Sequence, residues 1–250
     1  MPWGERNEPV GTRLQFCCEM GINMNGANKR FMAGKHTWLR NHLVIYNVRG
    51  GAANPYNQTL STAGTELPVK EFDLRKVGGI QMENGSVGKE YELYALDDPH
   101  KKKVRSVGTF TKPVRAYFLP WGSGKTYRGK LGSNADYFFT PTLNGCTFAH
   151  DGAGPNPGVA HSNFVNPVTT QADQGAMDAD LTNVFGGAMP NRTLIKTNYK
   201  RAPTGEEDYR ATVIGIRVGN AWRFYYQNYK AESLGTGKMT YTGLDLCIPI

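Results

Sequence analysis

The side chains able to do chemistry in this sequence are few enough to weigh one by one. Four cysteines, Cys17, Cys18, Cys146 and Cys247, stand among 250 residues with five histidines. Residues 137–163, YFFTPTLNGCTFAHDGAGPNPGVAHSN, bring the two types together. An aromatic run, Tyr137 to Phe139, ends at Thr140-Pro141, and Asn144-Gly145 bends the chain directly before Cys146. A bend that lifts a cysteine from a strand end offers a sulfur with backbone N–H groups beside it, which a thiol nucleophile and its oxyanion need. His161 follows 15 residues later, after a Gly- and Pro-rich loop. A loop out and a neighbouring strand back would set its imidazole beside the thiol, where it can take the proton and release a thiolate. Two alternatives stay open on these residues. His150, four positions after Cys146, reaches the sulfur if the segment is helical. A cysteine in an apolar run also serves as a small core residue, and a lone histidine after a loop as a surface one.

Other motifs carry less. Gly122-Ser123-Gly124-Lys125-Thr126 imitates the end of a phosphate-binding loop, but Leu119 stands where the motif needs its first glycine. Pro120 and Trp121 fill the loop and Gly129 interrupts the helix that should follow, so a basic turn is expected there. No Cys-x-x-Cys or His-x-x-x-His spacing points to a metal. Four cysteines in a chain of this length are not a disulfide scaffold, so reduced thiols are expected. Neither a metal nor an organic cofactor is implied.

The elements that must position Cys146 and His161 read as strands. Thirty glycines and 14 prolines are spread through the sequence, as in a β-rich fold with many turns. Strand-like runs fall at 13–18, 42–48, 91–96 and 114–119. Residues 211–218 and 221–229 read as a hairpin about Gly219-Asn220. Residues 171–184 are the best helix candidate, and 50–67 read as a long polar surface loop. The expected architecture is α+β, a β-sandwich of mixed or antiparallel sheets with a few peripheral helices, in one domain over 1–250. Hydrophobic residues at 39% suffice for a core, and no run of about 18 apolar residues spans a membrane. Residues 1–12 are polar, expected to be flexible, and lack the apolar stretch of a secretory signal.

With 29 Lys and Arg against 21 Asp and Glu, the net charge is +8. The densest basic run, His100 to Lys103 with Arg105, has no interleaved aromatics and reads as a solvated loop. Nucleic acid is therefore not the expected partner, although a basic face also attracts acidic proteins. A noncatalytic reading remains: a basic β-domain that stacks nucleobases or an acidic partner on Tyr225, Tyr226 and Tyr229, flanked by Arg223 and Lys230. A cysteine protease is a further alternative. An enzyme's Cys146 is expected to alkylate near neutral pH ahead of the other thiols.

The string Phe138-Phe139-Thr140-x-x-Leu143-x-Gly145-Cys146 resembles the active-site segment of the Burkholderia lethal factor-like glutamine deamidase toxins. It is similar, more loosely, to the catalytic domains of the cytotoxic necrotising factors and to the chemotaxis glutamine deamidases. Phe118-Leu119-Pro120-Trp121 resembles a strand end upstream of that site, and 213–219 with Tyr225-Tyr226-Gln227 resembles the C-terminal hairpin. The similarity covers about 110–165 and, weakly, 208–230. It implies Cys146, His161 and Thr140 as the catalytic set, with Thr140 orienting His161. It implies deamidation of a glutamine to glutamate on a host protein, with transglutamination if an amine replaces water. It implies a bacterial toxin or effector that is secreted or injected and acts in the host cytosol, on a Rho-family GTPase or a translation-initiation RNA helicase. Asn144 stands where these proteins commonly carry Ser, the Cys–His loop is longer, and the N-terminal part is extended.

Overall fold

The computed structural model describes residues 26–46, 64–96, 113–190, 192–199, 208–233 and 239–250; for 233, 239, 240 and 244–248 it describes the backbone only. In chain order the elements are α1 (Gly26–Ala33), α2 (Lys35–Asn41), β1 (His42–Ile45), β2 (Val69–Met82), β3 (Val87–Ala95), β4 (Val114–Phe118), β5 (Lys125–Lys130), β6 (Tyr137–Phe139), β7 (Thr147–His150), β8 (Gly158–Asn163), α3 (Gln174–Val184), β9 (Arg192–Leu194), α4 (Lys196–Tyr199), β10 (Asp208–Val218), β11 (Ala221–Ser233) and β12 (Met239–Pro249). Eight strands form one mixed sheet in the order β1-β3-β2-β12-β11-β10-β6-β4, and four form a second, β5-β8-β7-β9.

The large sheet curls until β2 meets it twice. This 14-residue strand pairs antiparallel with β4 at Val69–Phe72 and parallel with β12 at Gln81 and Met82. The concave side wraps α1 and α2. Phe31 of α1 sits in that hollow, 4.9 Å from the Tyr137 ring, 5.4 Å from Trp38 and 6.3 Å from Phe139. Strand alternation explains the division of the core. In β6, Tyr137 and Phe139 face the helices, while Phe138 joins a second cluster with Phe148, Val213, Trp222 and Phe224 between the two sheets. The outer face of the small sheet carries Ala149 and Ala160 under Leu181 of α3. Gln227 ties β11 to the helical side: its amide donates to the carbonyls of Leu39 and His42, and its oxygen accepts from the Val44 N–H.

This is the α+β sandwich expected from the sequence. The 211–229 hairpin forms, with Val218 opposite Ala221 and Gly219 at φ 61°. A positive φ at the first central residue matches a II′ turn, which follows the twist of the strands. The expected helix is α3, begun by Asp173, whose carboxylate accepts from the Ala176 N–H at 3.0 Å. Gly124-Lys125 leads into strand β5 rather than a helix, so the residues that imitate a phosphate loop form a turn. Tyr229 is fully buried, and Tyr225 and Tyr226 pack on opposite faces of β11 against different clusters. The three tyrosines therefore form no common stacking surface. No helix among the described residues is long and apolar enough to cross a membrane. The strand expected at 13–18, most of the loop at 50–67, the basic run at 100–105, and Cys17 and Cys18 lie outside the described residues, as does the Cys247 side chain.

Phe31 fills the hollow of the curled sheet, so Phe31→Ala should lower stability by about 3–5 kcal/mol, the usual cost of deleting a buried phenyl ring. Urea unfolding followed by circular dichroism measures it. A loss below about 1 kcal/mol would show that α1 does not pack there.

Candidate functional site

The site lies where the ends of the two sheets face each other. Gly145 turns the chain at φ 91°, and a β-carbon there would stand 3.1 Å from Ala172 Cβ, so both backbone and space call for glycine. β7 begins one residue after Cys146 and pairs antiparallel with β8, setting Phe148 opposite His161 and Thr147 opposite Ser162. Alternation then places Cys146, two residues before Phe148, on the face that carries His161. Across β8 that face continues to Tyr127, which pairs with His161 in β5. Cys146 packs in the same buried cluster as Phe148 and Tyr127, the strand neighbours of His161.

Burial is deep: Thr140 and His161 are 0% exposed and Cys146 5%. Thr140, at the end of β6, crosses from the large sheet. Its hydroxyl donates to the Leu119 carbonyl at 3.0 Å and lies 2.7 Å from His161 Nδ1. A hydroxyl has one proton and a carbonyl can only accept, so Thr140 Oγ1 accepts from Nδ1–H. His161 is thereby held in the Nδ1–H tautomer with its lone pair on Nε2. That nitrogen is buried and makes no hydrogen bond, to the Cys146 sulfur or to any other group. Leaving a buried acceptor unpaired costs about 1–3 kcal/mol.

The sulfur has its own surroundings. A backbone hydrogen bond from Asn144 and the charge of Lys196 both lower its pKa, but burial outweighs them and pushes it up to about 11. Burial likewise drives the His161 pKa down to about 3. The resting site therefore holds a neutral thiol and a neutral imidazole, and rapid alkylation of Cys146 near neutral pH is not what this geometry gives. His150 is excluded as the base. Its segment is a strand, which puts it about 13 Å along from Cys146, and its Nδ1 contacts the Gly152 carbonyl at 2.8 Å.

Two residues of the site escaped sequence reading. Tyr199 of α4 accepts from the Gly145 N–H at 2.9 Å and donates to the Cys146 carbonyl at 3.0 Å, clamping the bend. Lys196, one turn earlier, stands beside the same bend. The only sequence signal was a Lys and a Tyr three apart, on one side of a helical turn. No family model matches this chain, and no curated protein sequence matches it significantly.

The buried, neutral His161 links stability to pH. Its ordinary pKa of 6.5 falls to about 3 in the fold. Between those values the unfolded chain binds more protons, so stability falls on acidification. From pH 7 to pH 4.5 His161 should account for about 2–3 kcal/mol of lost stability, and His161→Gln should remove that share of the slope. Urea midpoints at the two pH values test this, and equal slopes in parent and variant would refute it.

Proposed function

We propose that the chain is a cysteine hydrolase that converts a glutamine of another protein to glutamate, with Cys146 as nucleophile, His161 as base and Thr140 as the residue that orients the base. One observation carries the reading: a buried imidazole whose tautomer is locked through Nδ1 and whose Nε2 is unpaired, on the strand beside the one that the Gly145–Cys146 bend leads into. Core packing does not call for an unpaired nitrogen, whereas a general base requires a lone pair held in place. The resemblance of 138–146 to the deamidase segment supplies the substrate class.

The steps follow from the chemistry of the groups. Because the resting pair is neutral, proton transfer accompanies attack: Nε2 takes the thiol proton as the sulfur bonds to the carboxamide carbon. The carbonyl π pair moves to oxygen, and backbone N–H groups at the bend would hold that oxyanion. On collapse the C–N bond breaks, and His161 returns its proton to the departing ammonia. Water, deprotonated by the same nitrogen, then cleaves the thioester to give glutamate and the free thiol. No step needs a metal or an organic cofactor. With Cys146 only 5% exposed, a substrate side chain must displace covering groups to reach the sulfur. A host Rho-family GTPase or translation-initiation RNA helicase as the target, and delivery into the host cytosol, belong to the same proposal and rest on the resemblance.

The competing reading is a binding domain in which Cys146 is a core residue. Burial of the thiol favours it. The two separate on mutation. Cys146→Ser and His161→Ala should each abolish Gln-to-Glu conversion in host lysate, read by mass spectrometry, while the β-rich dichroism spectrum persists. The double variant should lose no more than either single one, because the pair acts as a unit. Thr140→Val should cost less than His161→Ala, and Thr140→Ser should restore most of the rate. Conversion by Cys146→Ser at the parent's rate would sink the proposal.

A further inference from the structure

A second concave site lies on the far edge of the large sheet. Between Phe72, where β4 leaves β2, and Gln81, where β12 joins it, one edge of β2 has no strand partner among the described residues. The start of α1 fills that gap. Asn28, wholly buried, accepts from the Leu74 N–H at 2.9 Å and donates to Asp73 at 3.0 Å, fixing the helix to the open edge. Beside it a cavity of about 380 Å³ is lined by Gly26, Ala27 and Arg30 of α1, Leu74 to Lys76 of β2, and Lys89 and Tyr91 of β3.

The register gathers positive charge here. Lys76 pairs with Tyr91, and Lys89 lies two residues before Tyr91 on the same face. Arg30 comes from the helix above. Among the described residues these three cations make no ion pair and no carboxylate lines the cavity. The neighbouring acids are turned away or engaged. Asp73 is held by Asn28 and lies 3.8 Å from Arg75, whose guanidinium also covers the Tyr94 ring. Glu90 and Glu92 alternate to the opposite face. There Glu90 is pushed up to about 7 by burial and then by Glu92, with no lowering from any of the three cations. His42, held below its ordinary value chiefly by burial, also feels the charges of Lys89 and Arg30.

We propose that this cavity binds the phosphate group of a small soluble phosphate ester, with Arg30, Lys76 and Lys89 as its ligands. Three uncompensated cations around one hollow suit the several oxygens and multiple charge of a phosphate better than a single carboxylate. The N-terminal end of α1, at the mouth, adds partial positive charge of the same sense. A volume above about 300 Å³ is that of a small-molecule pocket, so it has room for the ester as well as its phosphate. The site is independent of the proposed deamidation, and no residue is shared between them.

Calorimetric titration of the full chain with inorganic pyrophosphate at low ionic strength tests the assignment. Saturable one-to-one binding is expected. Lys76→Gln and Lys89→Gln should each weaken it about tenfold, with both changes together costing more, as for lost charge-assisted hydrogen bonds. Both lysines are exposed, so the dichroism spectrum should stay that of the parent. Lys125→Gln, on the exposed start of β5, removes the same charge elsewhere and should leave affinity unchanged. Absence of saturable binding would overturn the proposal. An equal loss in Lys125→Gln would do the same, because binding would then follow net charge rather than this cavity.

Discussion

The Thr140 hydroxyl joins the two sheets at the point on which the site depends. It stands on the large sheet, spends its proton on the Leu119 carbonyl and accepts the Nδ1–H of His161 on the small one. Both bonds lie in a region closed to water, where an unmet polar group is costly and a met one is geometrically strict. The consequence is chemical as well as structural. The imidazole cannot rotate or exchange tautomers without losing a buried bond, so Nε2 keeps its lone pair and its direction. The aromatic cluster of Phe138, Phe148 and Phe224 surrounds this contact and sets the spacing of the sheets. Gly215 lets Phe138 approach, since a β-carbon there would stand 2.9 Å from Phe138 Cβ.

On the sulfur side the constraint is the bend. Gly145 supplies a backbone angle that other residues resist, and the Tyr199 hydroxyl bridges the Gly145 N–H and the Cys146 carbonyl. Thiol and imidazole are therefore each anchored by a hydroxyl of another element, the Cys146 bend by Tyr199 and His161 by Thr140. Such paired supports give a preorganised site. Burial acts the other way on charge, holding the thiol up and the imidazole down, so that neither ionises at rest. A neutral resting pair is stable in a dry interior and resists stray electrophiles.

What could be read in the sequence was what local periodicity encodes. The 211–229 hairpin, helix α3 and the strand character of 114–119 follow from alternation, turn residues and a cap within a few positions of one another. The turn at Gly122-Ser123-Gly124 was legible because Pro120, Trp121 and Gly129 contradict a nucleotide loop locally. Helices α1 and α2 were not, because Gly26–Ala33 carries few apolar residues and its place depends on Phe31 entering a hollow built by strands distant in sequence. The double pairing of β2 was equally hidden, since it is set by where β4 ends and β12 begins. Within the site, Thr140, Cys146 and His161 were singled out by a bend, a spacing and a resemblance. Tyr199 was missed because its partners lie 53 and 54 residues away and nothing in its neighbours marks the contact.

The surroundings of the buried Cys146 differ from those of a plain core position. A core position wants volume and no polar obligations, and Cys146 would satisfy that description in isolation. Its surroundings do not. A backbone hydrogen bond from Asn144 and a nearby lysine both favour the thiolate form, although burial prevails over them at rest. On β8, the buried His161 imidazole keeps an Nε2 with no hydrogen-bond partner. Packing would tolerate either feature, but each carries an energetic cost that an apolar side chain in its place would avoid. The Cys146 bend leads into β7, and β8 beside it has its register fixed by backbone pairing on both sides of His161.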